Sequence, residues 1–375
     1  MAILTEDESL RFGYTTGACA AAGAKAILLA QRGLEHEQVK LTALDGTELL
    51  IPVKSVSLGE DGCGQAEVVK FSGDDPDITN GVSVFAALRP IDSQELVFKA
   101  GIGVGTVTKP GLTVPIGEPS INPGPRKLIR QVLEEMTGSS LGWEITISIP
   151  AGVELARKTL NPVLGVEGGI SVIGTTGVLR PMSEEGFKNS LVPQIDVAKA
   201  AGFESLVFVP GKIGEEAALA WGLPQGALVQ TSNFIGFMLE AAAKREIKSI
   251  LLFGHIGKMA KVAAGIFYTH NRIGDARLET MAAYAAAEGL PREGVERLLS
   301  ANTTEDALTV LAAQGKDFCR HVCDIIAARA SLRAERYLFG QVQVGTVMTA
   351  MDRSLLGLDD KAREIGEAYR WKLPV

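Results

Sequence analysis

Residues 248–280, which read KSILLFGHIGKMAKVAAGIFYTHNRIGDARLET, decide the fold of the second half of the chain. An apolar run of strand length, residues 250–253, stops at the glycine-rich segment 254–258, and an alanine-rich helix is predicted from about Met259. Backbone N–H groups at a helix start have no intrahelical partner, and the helix dipole is positive there. Because Lys258 and Lys261 add positive charge, this junction is typical of a site for anionic groups.

The predicted helix is followed by a segment that is dense in polar side chains. The segment holds Tyr268, Thr269, His270, Asn271, Asp275, Arg277 and Glu279. Such density beside an apolar run indicates a site, whereas the alternative is a glycine turn followed by a solvated histidine. The segment is not a phosphate-binding P-loop, because Gly254 lies only four positions before Lys258 and Met259 follows that lysine.

The composition is that of an enzyme-sized globular chain. Its 375 residues, of which 46% are hydrophobic and 22% charged, can bury a large core and are expected to form two domains. The net charge of −7 and the aromatic content of 6% argue against a nucleic-acid-binding surface. No apolar run approaches the roughly 18 to 20 residues that span a bilayer, and acidic residues stand near the start, where a signal peptide has basic ones. We therefore expect a cytoplasmic protein that binds neither nucleic acid nor membrane.

The four cysteines are too few for a disulfide framework in a chain of this length, so reduced thiols are expected. Cys319 and Cys323 would share one face of a helix, but His321 points away from that face. No second pair of ligands follows at the spacing of a zinc site. The two cysteines are therefore interpreted as part of a core face.

The second half of the chain alternates strands and helices. Strands are predicted over residues 205–209 and 227–230, and each ends in a polar or glycine-rich loop before a helix. Together with the strand at 250–253, this βαβα order predicts a parallel sheet. Ligands bind at the carboxyl ends of such strands, where Ser232 and Asn233 lie.

The remainder of the second half is predicted less specifically. Helices are expected to fill residues 277–338, and residues 341–349 are expected to return to the sheet. Residues 355–375 are interpreted as a charged tail.

The first half of the chain has a different pattern. A helix of small residues follows Thr15 and Thr16, either of which can cap it. So little side-chain bulk suits the close approach of a flat ligand or, equally, tight packing on a sheet. Residues 39–71 carry the hairpin signals of an antiparallel sheet. Further elements are predicted as strands over residues 95–100, 144–149 and 170–173 and a helix over residues 126–136.

These patterns predict two domains. Residues 1–184 are expected to form an α+β domain with antiparallel sheet, and residues 185–375 an α/β, Rossmann-like domain with a mostly parallel sheet. We expect the glycine-rich loops of both domains to face one cleft.

Loops of the first half also carry basic and hydroxyl side chains. The alternate glycines of residues 101–111 are by themselves a weak phosphate-loop signal, because Thr106 stands where the last glycine of GxGxxG would be. Lys109 strengthens the interpretation as an anion site. Arg126 is predicted near a helix N-terminus, where the dipole disfavours a cation, so an anionic partner is expected.

Several motifs in fixed order resemble those of the CbiD family. They are RFGYTTGACAAA at residues 11–22, GDDPDIT at 73–79, GVGTVTKPGL at 103–112, INPGPR at 121–126, TLNPVLGVEGGISVIGTTGVLRPMS at 159–183, SNFIG at 232–236 and the segment 254–279. The resemblance covers nearly the whole chain. The chain departs from the family's pattern at Ala18, Asn80, Val163 and Asn271.

The resemblance implies a methyltransferase that methylates ring carbon C1 of cobalt-precorrin-5B, giving cobalt-precorrin-6A in anaerobic cobalamin biosynthesis. S-adenosylmethionine would be the donor and a cobalt-containing corrinoid the acceptor. Cobalt would arrive with that substrate, so no protein-bound metal is expected. A corrinoid-binding scaffold without chemistry of its own is the alternative, and a homo-oligomer is possible.

On this basis each candidate residue has an expected role. His255 and His270 could accept a proton, bond a substrate carboxylate or contact the cobalt, or could only orient loops by hydrogen bonds to the backbone. The donor is expected near Ser232, Asn233, Gly254, Gly257 and Asp275. The residues expected to bind the acidic macrocycle are Thr15, Thr16, Lys109, Arg126, Lys158, Thr175, Thr176, Lys258, Lys261 and Arg277.

Overall fold

The computed structural model describes residues 10–34, 37–138, 142–181 and 184–373. The chain divides into two compact units, Met1–Glu184 and Glu185–Val375.

The first unit combines short strands with two long helices. Its elements are β1 Gly13–Tyr14, α1 Thr16–Ala30, β2 Gln38–Thr42, β3 Glu48–Pro52, β4 Ser55–Leu58, β5 Gly64–Val69, β6 Ser83–Pro90, β7 Leu96–Ala100, β8 Gly103–Val104, β9 Thr106–Val107, α2 Pro123–Thr137, β10 Trp143–Ser148, α3 Gly152–Leu155, α4 Asn161–Leu164, β11 Val166–Glu167, β12 Gly169–Ile170 and β13 Val178–Leu179. The main sheet has the order β4-β5-β6-β10-β7. Its pairs are antiparallel except β10 with β7, which are parallel.

The small-residue helix α1 packs against this sheet and against α2. A Cβ atom added at Gly23 would lie 3.0 Å from the Cβ of Ala86 on β6, so the small residues let the helix approach the sheet closely. Thr15 caps the helix, because its hydroxyl accepts the Ala18 N–H at 3.2 Å. Of the two alternatives for this helix, tight packing on a sheet is the one that the structure shows.

The second unit is built on one five-stranded sheet. Its elements are α5 Glu184–Leu191, which begins at the last residue of the first unit, α6 Pro193–Ala200, β14 Ser205–Val209, α7 Lys212–Ala220, β15 Leu228–Gln230, α8 Ile235–Ala243, β16 Ser249–His255, α9 Ile256–Ala263, α10 Arg277–Ala287, α11 Arg292–Leu299, α12 Thr304–Ala312, α13 Lys316–Tyr337, β17 Gln343–Thr349, β18 Leu355–Leu358 and α14 Asp360–Ala368. The strand order is β15-β14-β16-β17-β18. The first four strands pair in parallel, as the alternation of strands and helices predicts, and β18 is antiparallel to β17.

Three sequence predictions need correction. The prediction of a charged tail from residue 355 was wrong, because β18 pairs with β17 and Asp359 caps α14 by accepting the Ala362 N–H at 3.0 Å. A Cβ atom at Gly345 would lie 2.5 Å from the Ala362 nitrogen, so this terminal helix packs directly on the strand backbone. The predicted strand at 170–173 is reduced to Gly169–Ile170, and Ile173 is exposed. Helix α9 begins at Ile256, not near Met259.

Two further observations bear on the class of protein. Within the described residues, no helix is long and apolar enough to cross a membrane. All four cysteines have free thiols; on α13, Cys323 is buried and Cys319 is half-buried. The buried position of Cys323 agrees with the interpretation of this pair as part of a core face.

Candidate functional site

A pocket of about 450 Å³ lies in the second unit where β16 ends. Helices α9, α10 and α12 each contribute a residue of their first turn to its wall. Helix starts carry free N–H groups and positive dipole ends, so three of them at one pocket favour an anionic ligand. The lining residues are Asn233, His255, Gly257, Lys258, Lys261, Thr269, His270, Asn271, Arg277, Thr303, Thr304 and Glu305.

His255 joins two of these helix starts. Its Nδ1 accepts the Gly257 N–H at 3.1 Å and thereby caps α9, which explains why this helix begins earlier than predicted. Its Nε2 lies 2.5 Å from Oε1 of Glu305 on α12. Since Nδ1 acts as an acceptor, the proton of the neutral ring is assigned to Nε2, which donates to the carboxylate. Both ring nitrogens are therefore engaged.

Glu305 was missed by the sequence analysis. The pattern of a helix start was available, because the Thr303 hydroxyl accepts the Asp306 N–H at 3.1 Å as an N-cap. Nothing local, however, connects Glu305 to a histidine that lies 50 positions earlier in the chain.

His270 is placed differently in the same pocket. Its Nδ1 accepts the Arg272 N–H at 3.2 Å, and the ring is half-buried with its centroid 6.3 Å from that of Tyr268. Within the described part of the chain, no hydrogen-bond partner is found for its Nε2. Of the two pocket histidines, His270 is the one with a ring nitrogen left for a ligand.

Lys258 connects the carboxyl ends of three strands. From its position two residues into α9, its ammonium donates to the Pro210 carbonyl at 2.9 Å, the Ser232 carbonyl at 3.4 Å and Oδ1 of Asn233 at 3.0 Å. All three acceptors are uncharged. Burial, and secondarily the charge of Lys261, lowers the pKa of Lys258 from its ordinary value.

Lys261 is the more deeply buried cation, with 1% of its surface exposed. Its ammonium donates to the Thr269 carbonyl at 3.2 Å and to Oδ1 of Asn271 at 2.6 Å. Burial lowers the pKa of Lys261 as well. Among the described residues, no carboxylate lies within ion-pair distance of Lys258 or Lys261, so the pocket holds positive charge that the protein itself leaves unpaired.

Arg277 brings its own counter-ion. Its guanidinium donates twice to Asp275, at 2.7 and 2.6 Å, and this pairing lowers the pKa of the Asp275 carboxyl. Asp275, Gly254 and Ser232, which were predicted to bind the donor, are not among the lining residues of the pocket, although Asn233 and Gly257 are. One pocket therefore contains residues that were predicted to bind the donor and residues that were predicted to bind the macrocycle.

Two buried hydroxyls at the same edge of the sheet have no hydrogen-bond partner within the described ranges. Thr231 directly follows β15, and Thr349 is the last residue of β17, in register with His255. Unpaired buried polar groups are uncommon and often accompany functional sites. Neither hydroxyl was singled out from the sequence.

The predicted hydroxyl residues of the first unit meet around one loop. The Thr16 hydroxyl accepts the Ile173 N–H at 3.0 Å, and a Cβ atom at Gly174 would lie 2.2 Å from the Thr15 hydroxyl. Thr176 accepts the Val178 N–H at 3.3 Å, whereas the neighbouring Thr175 is exposed. Thr15 and Thr16 are themselves buried and engaged in holding this loop.

The predicted cations of the first unit differ in their contacts. Lys109 donates to the Val163 carbonyl at 3.1 Å, and Lys158 is exposed. Arg126 pairs with Glu118 at 2.7 Å, which supplies the anionic partner expected for it. Within the described residues, no group of three or more His, Cys, Asp or Glu side chains could hold a metal ion.

Comparison with known proteins agrees with the motifs. The profile of the CbiD family matches residues 3–181, and that of the CbiD C-terminal domain matches residues 268–360. A protein of Moorella thermoacetica is 48% identical over 96% of this chain and 97% of its own length. Proteins of Desulfitobacterium hafniense and Methanocaldococcus jannaschii are each 41% identical, over 98% and 92% of this chain and 94% and 96% of their own lengths. All three are named cobalt-precorrin-5B C(1)-methyltransferase.

A crystal structure of the cobalamin biosynthesis protein CbiD from Archaeoglobus fulgidus is 28% identical and covers 74% of this chain and 87% of its own, with a TM-score of 0.40. The two profiles and the full-length relatives confirm the resemblance drawn from the motifs. The chain belongs to the CbiD family.

Proposed function

We propose that this protein transfers a methyl group to C1 of cobalt-precorrin-5B, with S-adenosylmethionine as donor. One observation carries the proposal: relatives up to 48% identical, matched along nearly their whole length, bear the name of that activity. The product is cobalt-precorrin-6A, and the place of the reaction is anaerobic cobalamin biosynthesis in the cytoplasm. Cobalt enters with the substrate and is not held by the protein.

The donor binds in the pocket of the second unit. A volume of about 450 Å³ suits a molecule of the donor's size, whereas a corrinoid ring with its acidic arms is larger. The donor's amino-acid carboxylate is the anion for Lys258 and Lys261, neither of which forms an ion pair with a carboxylate of the described residues. The other N–H groups in the first turn of α9, apart from that of Gly257, which His255 caps, add donors at the same place.

The reaction is an in-line displacement. A bond forms between C1 and the methyl carbon while the bond from that carbon to sulfur breaks, and the sulfonium becomes a neutral thioether. Charge is dispersed in this step, so the enzyme gains mainly by holding donor and acceptor at attack distance. His270, through its free Nε2, accepts the proton that leaves the macrocycle. His255 positions the start of α9.

The experiment that tests the function uses donor labelled in its methyl group. The full chain is incubated with labelled S-adenosylmethionine and cobalt-precorrin-5B, and the macrocycle is isolated. We expect the label in the macrocycle, with one methyl group transferred per ring. A protein that binds the macrocycle but leaves it unlabelled would be a carrier, and the proposal would be wrong.

A further inference from the structure

A second pocket, of about 400 Å³, lies in the first unit between edge strand β7, helix α2 and the loop at residues 113–115. We name it the α2 groove. It is lined by Leu96, Phe98, Thr113, Val114, Pro115, Pro123, Arg126, Lys127 and Arg130. Apart from Arg126, none of these residues was singled out from the sequence.

The wall of the α2 groove is largely apolar. Leu96 and Phe98 come from β7, and Val114 from the loop. The Arg126 guanidinium lies 5.0 Å from the centre of the Phe98 ring, as in a cation–π contact. Its hydrogen bonds to the Ile121 carbonyl at 2.8 Å and to Glu118 at 2.7 Å hold it there.

The cations of the groove are concentrated in the first half of α2. Lys127 and Arg130 are exposed, and within the described residues neither forms an ion pair. Like charges three and four positions apart on a helix repel each other, and the positive end of the dipole disfavours cations in the first turns. The first acidic residue of the helix is Glu134, near its far end. In a chain of net charge −7, this half of the helix is locally positive, which favours an anionic ligand.

We propose that the α2 groove binds the carboxylate-bearing edge of the corrinoid substrate. This inference rests on the proposed function, because a corrinoid precursor combines a flat apolar ring with several acetate and propionate arms. The ring edge packs on Phe98, and the carboxylates bind Lys127 and Arg130. Arg126, which Glu118 largely neutralises, positions the aromatic ring.

The test compares two stable cobalt corrinoids with the same ring. In one, all peripheral arms are free carboxylic acids, and in the other all are primary amides. Calorimetric titration of the full chain should show that the acid binds roughly tenfold more tightly than the amide at low salt. This preference should shrink at high salt, because ions screen exposed charges.

The variant Lys127→Gln/Arg130→Gln should bind the acid roughly tenfold more weakly and the amide as the wild type does. Gln is a good helix former, and both positions are exposed, so the fold is retained and circular dichroism verifies it. The matched control is Lys316→Gln/Arg336→Gln, which removes the same two charges from exposed positions of α13. The control should bind the acid normally.

Three results would overturn the inference: equal affinity of the wild type for acid and amide, full acid affinity in the Lys127/Arg130 variant, or an equal loss in the control. Label transfer from S-adenosylmethionine is measured in parallel on the wild type. If the wild type transfers no label while its tighter binding of the acid than of the amide depends on Lys127 and Arg130, the proposed function is wrong and the assignment of the α2 groove is supported. If label is transferred and the preference for the acid does not depend on these two residues, only the assignment of the α2 groove is wrong.

Discussion

The two pocket histidines differ in which nitrogens are free, and this difference predicts different roles. Replacement of His270 by alanine removes the free Nε2 from the pocket. We expect the single-turnover rate of methyl transfer to fall by roughly a hundredfold or more, with donor affinity unchanged, because a proton acceptor acts only in the chemical step.

His321→Ala is the matched control, since this exposed histidine of α13 pairs with Glu288 at 2.9 Å outside the pocket. Its rate should equal that of the wild type. A wild-type rate in His270→Ala would remove this histidine from the mechanism.

His255 is predicted to act by holding the backbone at the start of α9, where its side chain accepts the Gly257 N–H. His255→Ala deletes the cap of α9 and should lower the free energy of unfolding by about 1 kcal/mol, while also weakening the binding of S-adenosylhomocysteine. His255→Asn supplies another side-chain acceptor for the Gly257 N–H and should recover most of the stability. Chemical denaturation and calorimetry measure both quantities. Equal stability of the Ala and Asn variants would contradict a capping role.

The pKa values of Lys258 and Lys261, both lowered by burial, predict a pH dependence. Between the lowered pKa of the folded protein and the ordinary lysine value of about 10.4, the unfolded chain binds more protons than the folded one. The ligand-free protein should therefore gain stability as the pH rises through this window. The affinity for S-adenosylhomocysteine should fall over the same window, because the lysines that bind its carboxylate lose their charge.

Chemical denaturation and calorimetry at the same series of pH values test whether stability rises while ligand affinity falls. In the variant Lys258→Gln, both the free energy of unfolding and the affinity for S-adenosylhomocysteine should depend less on pH, since one of the two titrating groups is gone. Donor affinity that is constant across the window would place the carboxylate elsewhere.

At the scale of elements, the start of α9 leaves little space. A Cβ atom at Gly257 would lie 3.1 Å from Nδ1 of His255 and 3.6 Å from the Thr304 hydroxyl. Gly257→Val therefore should displace the capping histidine and reduce S-adenosylhomocysteine affinity at least about tenfold in a folded protein. Gly59→Val is the control, because its Cβ would make only ordinary contacts, the nearest at 3.6 Å in the first unit. Undiminished donor binding by Gly257→Val would refute the placement of the donor.

The elements near the site were predictable where the signal is local. The apolar run before Gly254 and the alternation of strands and helices predict β16 and its parallel neighbours, because side-chain pattern and turn residues are properties of adjacent positions. The cap by His255 and its bond to Glu305 were not predictable, since histidine is an uncommon cap and its partner lies 50 positions away. The terminal helix α14 was mistaken for a tail, because most of its residues are charged and only a narrow face, including Ile365, is buried.

At the scale of the whole molecule, the net negative charge does not reveal the local positive charge that binds anionic groups. The net charge of the chain is −7, whereas the macrocycle and the amino-acid carboxylate of the donor are anionic, so the overall charge argues against binding these groups. The structure gathers positive charge locally instead, at Lys258 and Lys261 in the second unit and at Lys127 and Arg130 in the first. Of these four residues, Lys258 and Lys261 were singled out from the sequence, because they stand beside a glycine-rich strand end. Lys127 and Arg130 became candidates only when folding placed an apolar edge strand next to them.

We propose that this chain itself methylates the corrinoid at C1, with the donor held by the pocket of the second unit. The most direct measurement is a single turnover of cobalt-precorrin-5B with ¹³C-methyl S-adenosylmethionine, followed by NMR of the isolated ring, for the wild type and for Lys258→Gln. We predict one labelled methyl group, bonded to C1, for the wild type, and a reduced yield for Lys258→Gln at a donor concentration that only the wild type saturates. Label at another carbon, no label, or equal yields from both proteins would contradict the account.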